Sequence, residues 1–168
     1  MSKIDKTVSP LISERWSKNR RDAVEVYIKN LQKYLRLQDW TLVVDWSEPC
    51  EDISIATFDP VEDQKYSVIR ISEKFLDLGM EMQTQTLVHE LIHCHLQPMT
   101  DLAEYTVKSI ASKSASNVFD IAMSQSCEFA TDAIADAIAP LVPQFKLPPQ
   151  EVGNTIKKII KAAKKSAK

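Results

Sequence analysis

His89, Glu90 and His93 stand in the run Val88-His89-Glu90-Leu91-Ile92-His93, whose residue types and spacing could do chemistry. On an α-helix, residues four apart lie one turn above each other, so the two imidazoles point the same way. They can close on one Zn²⁺ with nitrogens about 2.0–2.1 Å from the ion. Glu90 sits about 100° round the helix. It falls outside that ligand set but can reach a water beside the metal. One helical turn therefore separates ligation from general-base chemistry. The plainer alternative is a core helix whose histidines are satisfied by hydrogen bonds. Against it, all three histidines of the chain fall within seven residues. Burying two imidazoles and a carboxylate on one helix without a metal is also costly.

A catalytic zinc needs a third protein ligand and one open position. His95 is two residues from His93 and projects from nearly the opposite face, so a carboxylate or thiolate must complete the set. The metzincin-type arrangement requires glycine at position 96 and a ligand at 99. Leu96 and Met99 stand there and exclude it. The preferred candidate lies in Glu128-Phe-Ala-Thr-Asp132, where two carboxylates four apart share a helix face. Glu128 could be the third ligand, and Asp132 could accept the outward N–H of a ligand histidine, His89 first. Asp101, Glu104, Asp120 and Asp136 compete, and an acidic pair on a solvated helix face is common. Cys127 ranks after Glu128. Cys94 and Cys127 read more simply as small buried fillers, and His95 as a surface or supporting residue.

The elements that must position these groups follow from hydrophobic period. Ser9-Pro10 reads as a helix start. Val24, Tyr27, Ile28, Leu31, Tyr34 and Leu35 recur at spacings of three and four, predicting an amphipathic helix that ends near Leu37. The period then falls to two: positions 40, 42, 44 and 46 share a strand face. Residues 53–58 form a second β-prone run, closed by Asp59-Pro60, and 66–71 a third. The polar turn between them predicts an antiparallel hairpin. A short helix is expected from Ser72 to Leu78, stopped by Gly79. Thr84–Gln97 is the motif helix, with Pro98 ending it. Residues 101–139 lack Gly and Pro and predict one or two helices. Their expected buried face is Ile121, Phe129, Ala130, Ala133, Ile134, Ala137 and Ile138. The expected class is α+β, a small three-stranded, mainly antiparallel sheet covered by helices. Residues 1–9 read as an arm, 10–140 as the domain, and 141–168 as a Pro-containing segment with a Lys-rich tail.

His-Glu-Leu-Ile-His followed downstream by Glu128-x-x-x-Asp132 resembles the gluzincins, the thermolysin-like metallopeptidases. The short length and element order are similar to minigluzincins and related phage and bacterial metallopeptidases, over roughly residues 10–140. The resemblance implies a zincin-like fold and a zinc held by His89, His93 and Glu128. It further implies Glu90 as base and Asp132 behind a ligand histidine. The interval from His93 to Glu128 is longer than in thermolysin. No histidine is left to stabilise an oxyanion, and Tyr105 is the substitute considered. The implied activity is peptide-bond hydrolysis on a peptide or protein substrate, with the hairpin of residues 53–71 offering a strand for it to pair with.

Composition bounds the alternatives. With 44% hydrophobic and 26% charged residues, the chain has the make-up of an ordinary globular protein. Six of its 21 basic residues lie between Lys157 and Lys168, leaving the remainder acidic. That argues against a broad nucleic-acid face on the main domain, although the tail could touch nucleic acid or an acidic partner. Cys50, Cys94 and Cys127 have no CxxC spacing, and the first residues have no apolar leader core, so a reducing cytoplasm is expected. No apolar run approaches the roughly 20 residues of a membrane span. Two further readings stand beside the peptidase: a non-catalytic zinc-binding module, and a nucleic-acid-associated protease using the tail. Oligomeric state is not legible.

Overall fold

Residues 15–47, 50 and 53–150 are described by the structure, a computed structural model. The Ser9-Pro10 start and the Lys-rich tail lie outside them. Helix α1, Lys18–Tyr34, buries Val24, Ile28 and Leu31 and turns Lys18, Asp22, Lys29 and Lys33 to water. It stops before Leu37 because Arg36 adopts a left-handed conformation, φ 58°. The N–H of Leu37 then reaches back to the carbonyl of Gln32 at 2.7 Å, and that of Arg36 to Lys33 at 3.4 Å. This is a Schellman-type ending, and it folds Leu37 into the core.

Three strands follow: β1, Thr41–Val44; β2, Ala56–Pro60; and β3, Tyr66–Ile71. Their order is β1-β3-β2, with β3 in the centre. β2 and β3 form the expected antiparallel hairpin, Phe58 opposite Ile69. Asp63 takes the left-handed turn position that aspartate tolerates (φ 56°). β1 runs parallel to β3, so the sheet is mixed. Pro60 is accommodated within β2 because that strand is at an edge. Ser67, Ile69 and Ile71 face inward on alternate positions of β3.

A 3-10 turn at Glu73–Asp77 buries Phe75 completely. Gly79 does not close it with a left-handed turn. Its φ is −67°, and it caps the start of the next helix. That helix, α2, spans Met80–Ile110 and runs through Pro98, where the sequence predicts an end. Proline removes the hydrogen bond to the Cys94 carbonyl, yet the helix continues because its second half packs along α3, its most extensive neighbour. Helix α3, Lys113–Ile138, begins where the Ser112 hydroxyl accepts the N–H of Ala115.

The face of α3 differs from expectation. Thr131, Ala135 and, just beyond the helix, Ala139 are buried, and Ile138 is half-buried. Phe129 and Ile121 are 75% and 63% exposed, and Ala130, Ala133, Ile134 and Ala137 also face solvent. The small residues win because they let the α3 backbone come close to α2, which the larger ones would prevent. The core joins α1, β3, Phe75 and the apolar side of α2 (Leu87, Val88, Leu91 and Ile92). It extends past position 140 to Val142 and Phe145. The Phe145 N–H donates to the Thr84 hydroxyl at 2.9 Å, and the Tyr27 hydroxyl to the Pro143 carbonyl at 2.6 Å. Among the described residues no helix is long and apolar enough to cross a membrane.

Because Pro98 is exposed and costs α2 one backbone hydrogen bond, Pro98→Ala should stabilise the fold by about 1–2 kcal/mol. Urea unfolding measures this. A lower midpoint in the variant would mean that the long helix depends on the proline bend.

Candidate metal centre

The middle of α2 faces three ways at once. Leu87, Val88, Leu91 and Ile92 enter the core, which fixes the helix against rotation. That leaves His89 and His93 directed at α3, each about one-fifth exposed. From α3, Glu128 stands on the same side as the buried Thr131 and Ala135, since positions three and seven apart share a helix face. Close packing at those small residues carries the Glu128 carboxylate to the histidines.

The donor atoms converge. His89 Nε2 and His93 Nε2 are 3.2 Å apart. Glu128 places Oε2 3.3 Å from the first and Oε1 3.5 Å from the second. A tetrahedral ion with bonds of about 2.0–2.1 Å separates its ligands by about 3.3–3.4 Å. The His89–His93 spacing and the nearer Glu128 contact are close to that separation, Glu128 turning a different oxygen to each histidine, and two imidazoles with a carboxylate are a donor set that suits zinc. His89 Nδ1 donates to Asp132 Oδ1 at 2.9 Å. That bond fixes the tautomer with the proton on Nδ1 and leaves Nε2 free to ligate. Phe58, from β2, stacks on the His93 ring at 5.7 Å between centroids and an interplanar angle of 17°. Sequence patterning treats Phe58 only as the end of a β-prone run. Its position beside the ligand is a product of the hairpin register, and no local signal marks it.

Glu90 is only 5% exposed, and it lines the cleft in which the histidines sit. Burial first, and then the charges of Glu128 and Asp59, push its carboxyl from an ordinary 4.5 up to about 8. Burial also lowers the His93 pKa, opposed by Glu128, which favours the neutral imidazole that a metal requires. An ion at the donor cluster would reverse the logic for Glu90, because a neighbouring cation favours the carboxylate.

The remaining candidates separate cleanly. His95 Nε2 lies 2.8 Å from the Leu35 carbonyl and ties α2 to the end of α1. Cys94 is buried, and burial raises its thiol to about 12, which suits an apolar filler. Cys127 lines the cleft with Sγ 3.6 Å from the Thr100 hydroxyl, outside the three converging donors. Glu104 and Asp120 line the same cleft farther out. Asp101 accepts from Gln97, and Asp136 from Gln85. Tyr105 is 75% exposed and lines a neighbouring cavity, not the one that contains Glu90, so the oxyanion role considered for it has no support in its position.

Two outcomes follow. In the metal-free protein the folded state keeps a proton on Glu90 that the unfolded chain releases, so stability is fully present below about pH 4.5 and is lost as pH rises toward 8. Glu90→Gln should remove that loss and be more stable than the parent by on the order of 2 kcal/mol at pH 8, with the difference closing near pH 4.5. Urea unfolding in chelator across this range reads it; a difference independent of pH would show that folding leaves the Glu90 carboxyl unshifted. Separately, Asp132→Asn should weaken zinc affinity about 10–100-fold in a competitive chelator titration. Unchanged affinity would deny Asp132 its orienting role.

No family model, curated protein or solved structure matches this chain, so the meaning of the site rests on its own geometry.

Proposed function

We propose that this protein is a zinc-dependent peptidase of gluzincin type, with His89, His93 and Glu128 as ligands and Glu90 as general base. The observation that carries the reading is the convergence of donor atoms from His89, His93 and Glu128 within 4.8 Å of one another, beside a buried carboxylate in one cleft. Zinc bound there supplies a more acidic water and polarisation of a carbonyl oxygen. Glu90 accepts the proton from the attacking water and returns it to the departing amine nitrogen. Asp132 holds the His89 ring in its ligating tautomer through this exchange, and Phe58 packs against the His93 ring.

Substrate positioning is supported by β2. It is one of the two edge strands of the sheet, and Ala56–Pro60 line the cleft alongside His89, Glu90 and His93. An extended peptide can add to such an edge through backbone hydrogen bonds, presenting its carbonyl to the site. The three cysteines are free, which favours a reducing compartment and hence the cytoplasm.

The test is hydrolysis of peptide libraries by the zinc-loaded full chain, with products located by mass spectrometry. Wild type should cleave. Glu90→Gln should lose at least about 10²-fold in kcat while retaining one zinc per chain, and His89→Ala should lose both zinc and activity. Full activity in Glu90→Gln would remove Glu90 from the mechanism. A zinc-loaded chain with no hydrolysis of any library would leave a non-catalytic zinc module as the better reading.

A further inference from the structure

Between Cys94 on α2 and Thr131 on α3 no residue is buried. The second half of α2 and the first half of α3 therefore touch each other without enclosing a core. Helices gain most of their stability by burying a face, and here much apolar surface is left in water.

Charge is divided unequally between the two sides of this helix pair. Glu90, Gln97, Glu104 and Glu128 line the cleft on one side. On the other, Ile92 of α2 and Ile134 and Ile138 of α3 line an apolar groove of about 500 Å³ beside the end of α1. Steps of seven, four, three and four lead from Ile92 along one face of α2 to Met99, Ala103, Thr106 and Ile110. On α3, steps of four, seven, four and three lead back from Ile134 to Ala130, Met123, Phe119 and Ser116. Neither row contains a charge. The ionised side chains of this stretch, Asp101, Glu104 and Lys108 on α2 and Asp120 and Glu128 on α3, all fall outside both rows. Met99 is 56% and Ile110 80% exposed, while Phe119 and Met123 are half-buried. Leu141, 80% exposed, continues the surface at the groove.

We propose that this uncharged side of α2 and α3 docks a second copy of the chain, the two helix pairs closing into a four-helix layer about a two-fold axis. The area fits a dimer. Six large apolar side chains (Met99, Ile110, Phe119, Met123, Ile134 and Leu141) present on the order of 100 Å² each. With the small residues between them, that approaches the roughly 800 Å² per partner of a stable interface. Two-fold pairing also sets the surface against itself, so a face without charge meets nothing that repels it and leaves no ion unpaired. The heptad-like steps are those by which helices interlock in four-helix bundles. The Lys-rich tail is a poorer occupant. It carries six cations between Lys157 and Lys168, whereas the groove is lined by Arg36 and by no carboxylate. Docking on this side leaves the cleft of each copy open, because His89, Glu90 and Glu128 line the opposite side.

Sedimentation equilibrium of the full chain, with and without zinc, tests this between about 1 and 100 µM. Wild type should reach twice the chain mass. Ile110→Glu alters a position already 80% exposed, so the single chain should fold unchanged. Met123→Glu makes the corresponding change on α3, with circular dichroism as the check on its folding. Each variant brings two carboxylates into a two-fold interface and should weaken the dimer at least about 100-fold. Tyr105→Glu, 75% exposed on the side that faces the β2–β3 turn, should leave the dimer intact. A wild-type monomer throughout the range overturns the proposal. So does a dimer that survives both Ile110→Glu and Met123→Glu, or one that Tyr105→Glu weakens equally. A monomer that dimerises only after truncation at Gln150 assigns the surface to the tail and also overturns it. Mass is read without hydrolysis, so the dimer and the peptidase reading stand or fall separately.

Discussion

The site depends on how closely α3 can approach α2. Thr131 and Ala135 are buried at that contact, and their small side chains set the distance and the rotation of α3. Glu128 and Asp132 lie on the same side of the helix, so one packing decision brings a ligand candidate and its supporting carboxylate to His89 together. Turning α3 to bury Phe129 would rotate Glu128 away by about the 100° that separates neighbouring residues. The exposure of Phe129 and Ile121 is the corresponding cost in apolar surface.

On the other side of the contact, α2 is held from three directions. Its apolar side enters the core, His95 is tied to the end of α1, and Thr84 receives the N–H of Phe145 from the segment after α3. These restraints allow a buried carboxylate at Glu90, which is unfavourable for stability by itself. A chain of 168 residues with such a group keeps it at the cost of some stability at neutral pH. On the proposed reading, the same burial raises the affinity of Glu90 for the proton it would take from water.

The sheet contributes less to the core than the helices do, but it completes the cleft. β3 supplies Ile69 and Ile71 to the interior, while β2 at the edge supplies Phe58 against His93 and leaves its outer edge open. Asp59 links the two functions. It pairs with Arg70 of β3 and also adds to the negative field at Glu90. A separate cavity between the hairpin turn and the second half of α2 exists because α2 continues past Pro98.

The α+β class, the hairpin, α1 and the pairing of His89 with His93 were legible in the sequence because each is local. A helical or strand period, or a four-residue spacing, carries its own geometry. The Glu128 and Asp132 pair was legible as a candidate for the same reason. What the pattern could not settle was which of several carboxylates meets the histidines, since that contact spans tens of residues and depends on the rotation of α3. The same limit explains the misplaced buried face at Ile121 and Phe129: hydrophobicity ranks large side chains as core, whereas close helix packing selected Thr131 and Ala135. Pro98 was read by its local cost, and tertiary contact with α3 outweighed it. The parallel pairing of β1 and the stacking of Phe58 on His93 are likewise relations between distant segments. Only the folded chain, in which burial and sterics act on all segments at once, could decide them.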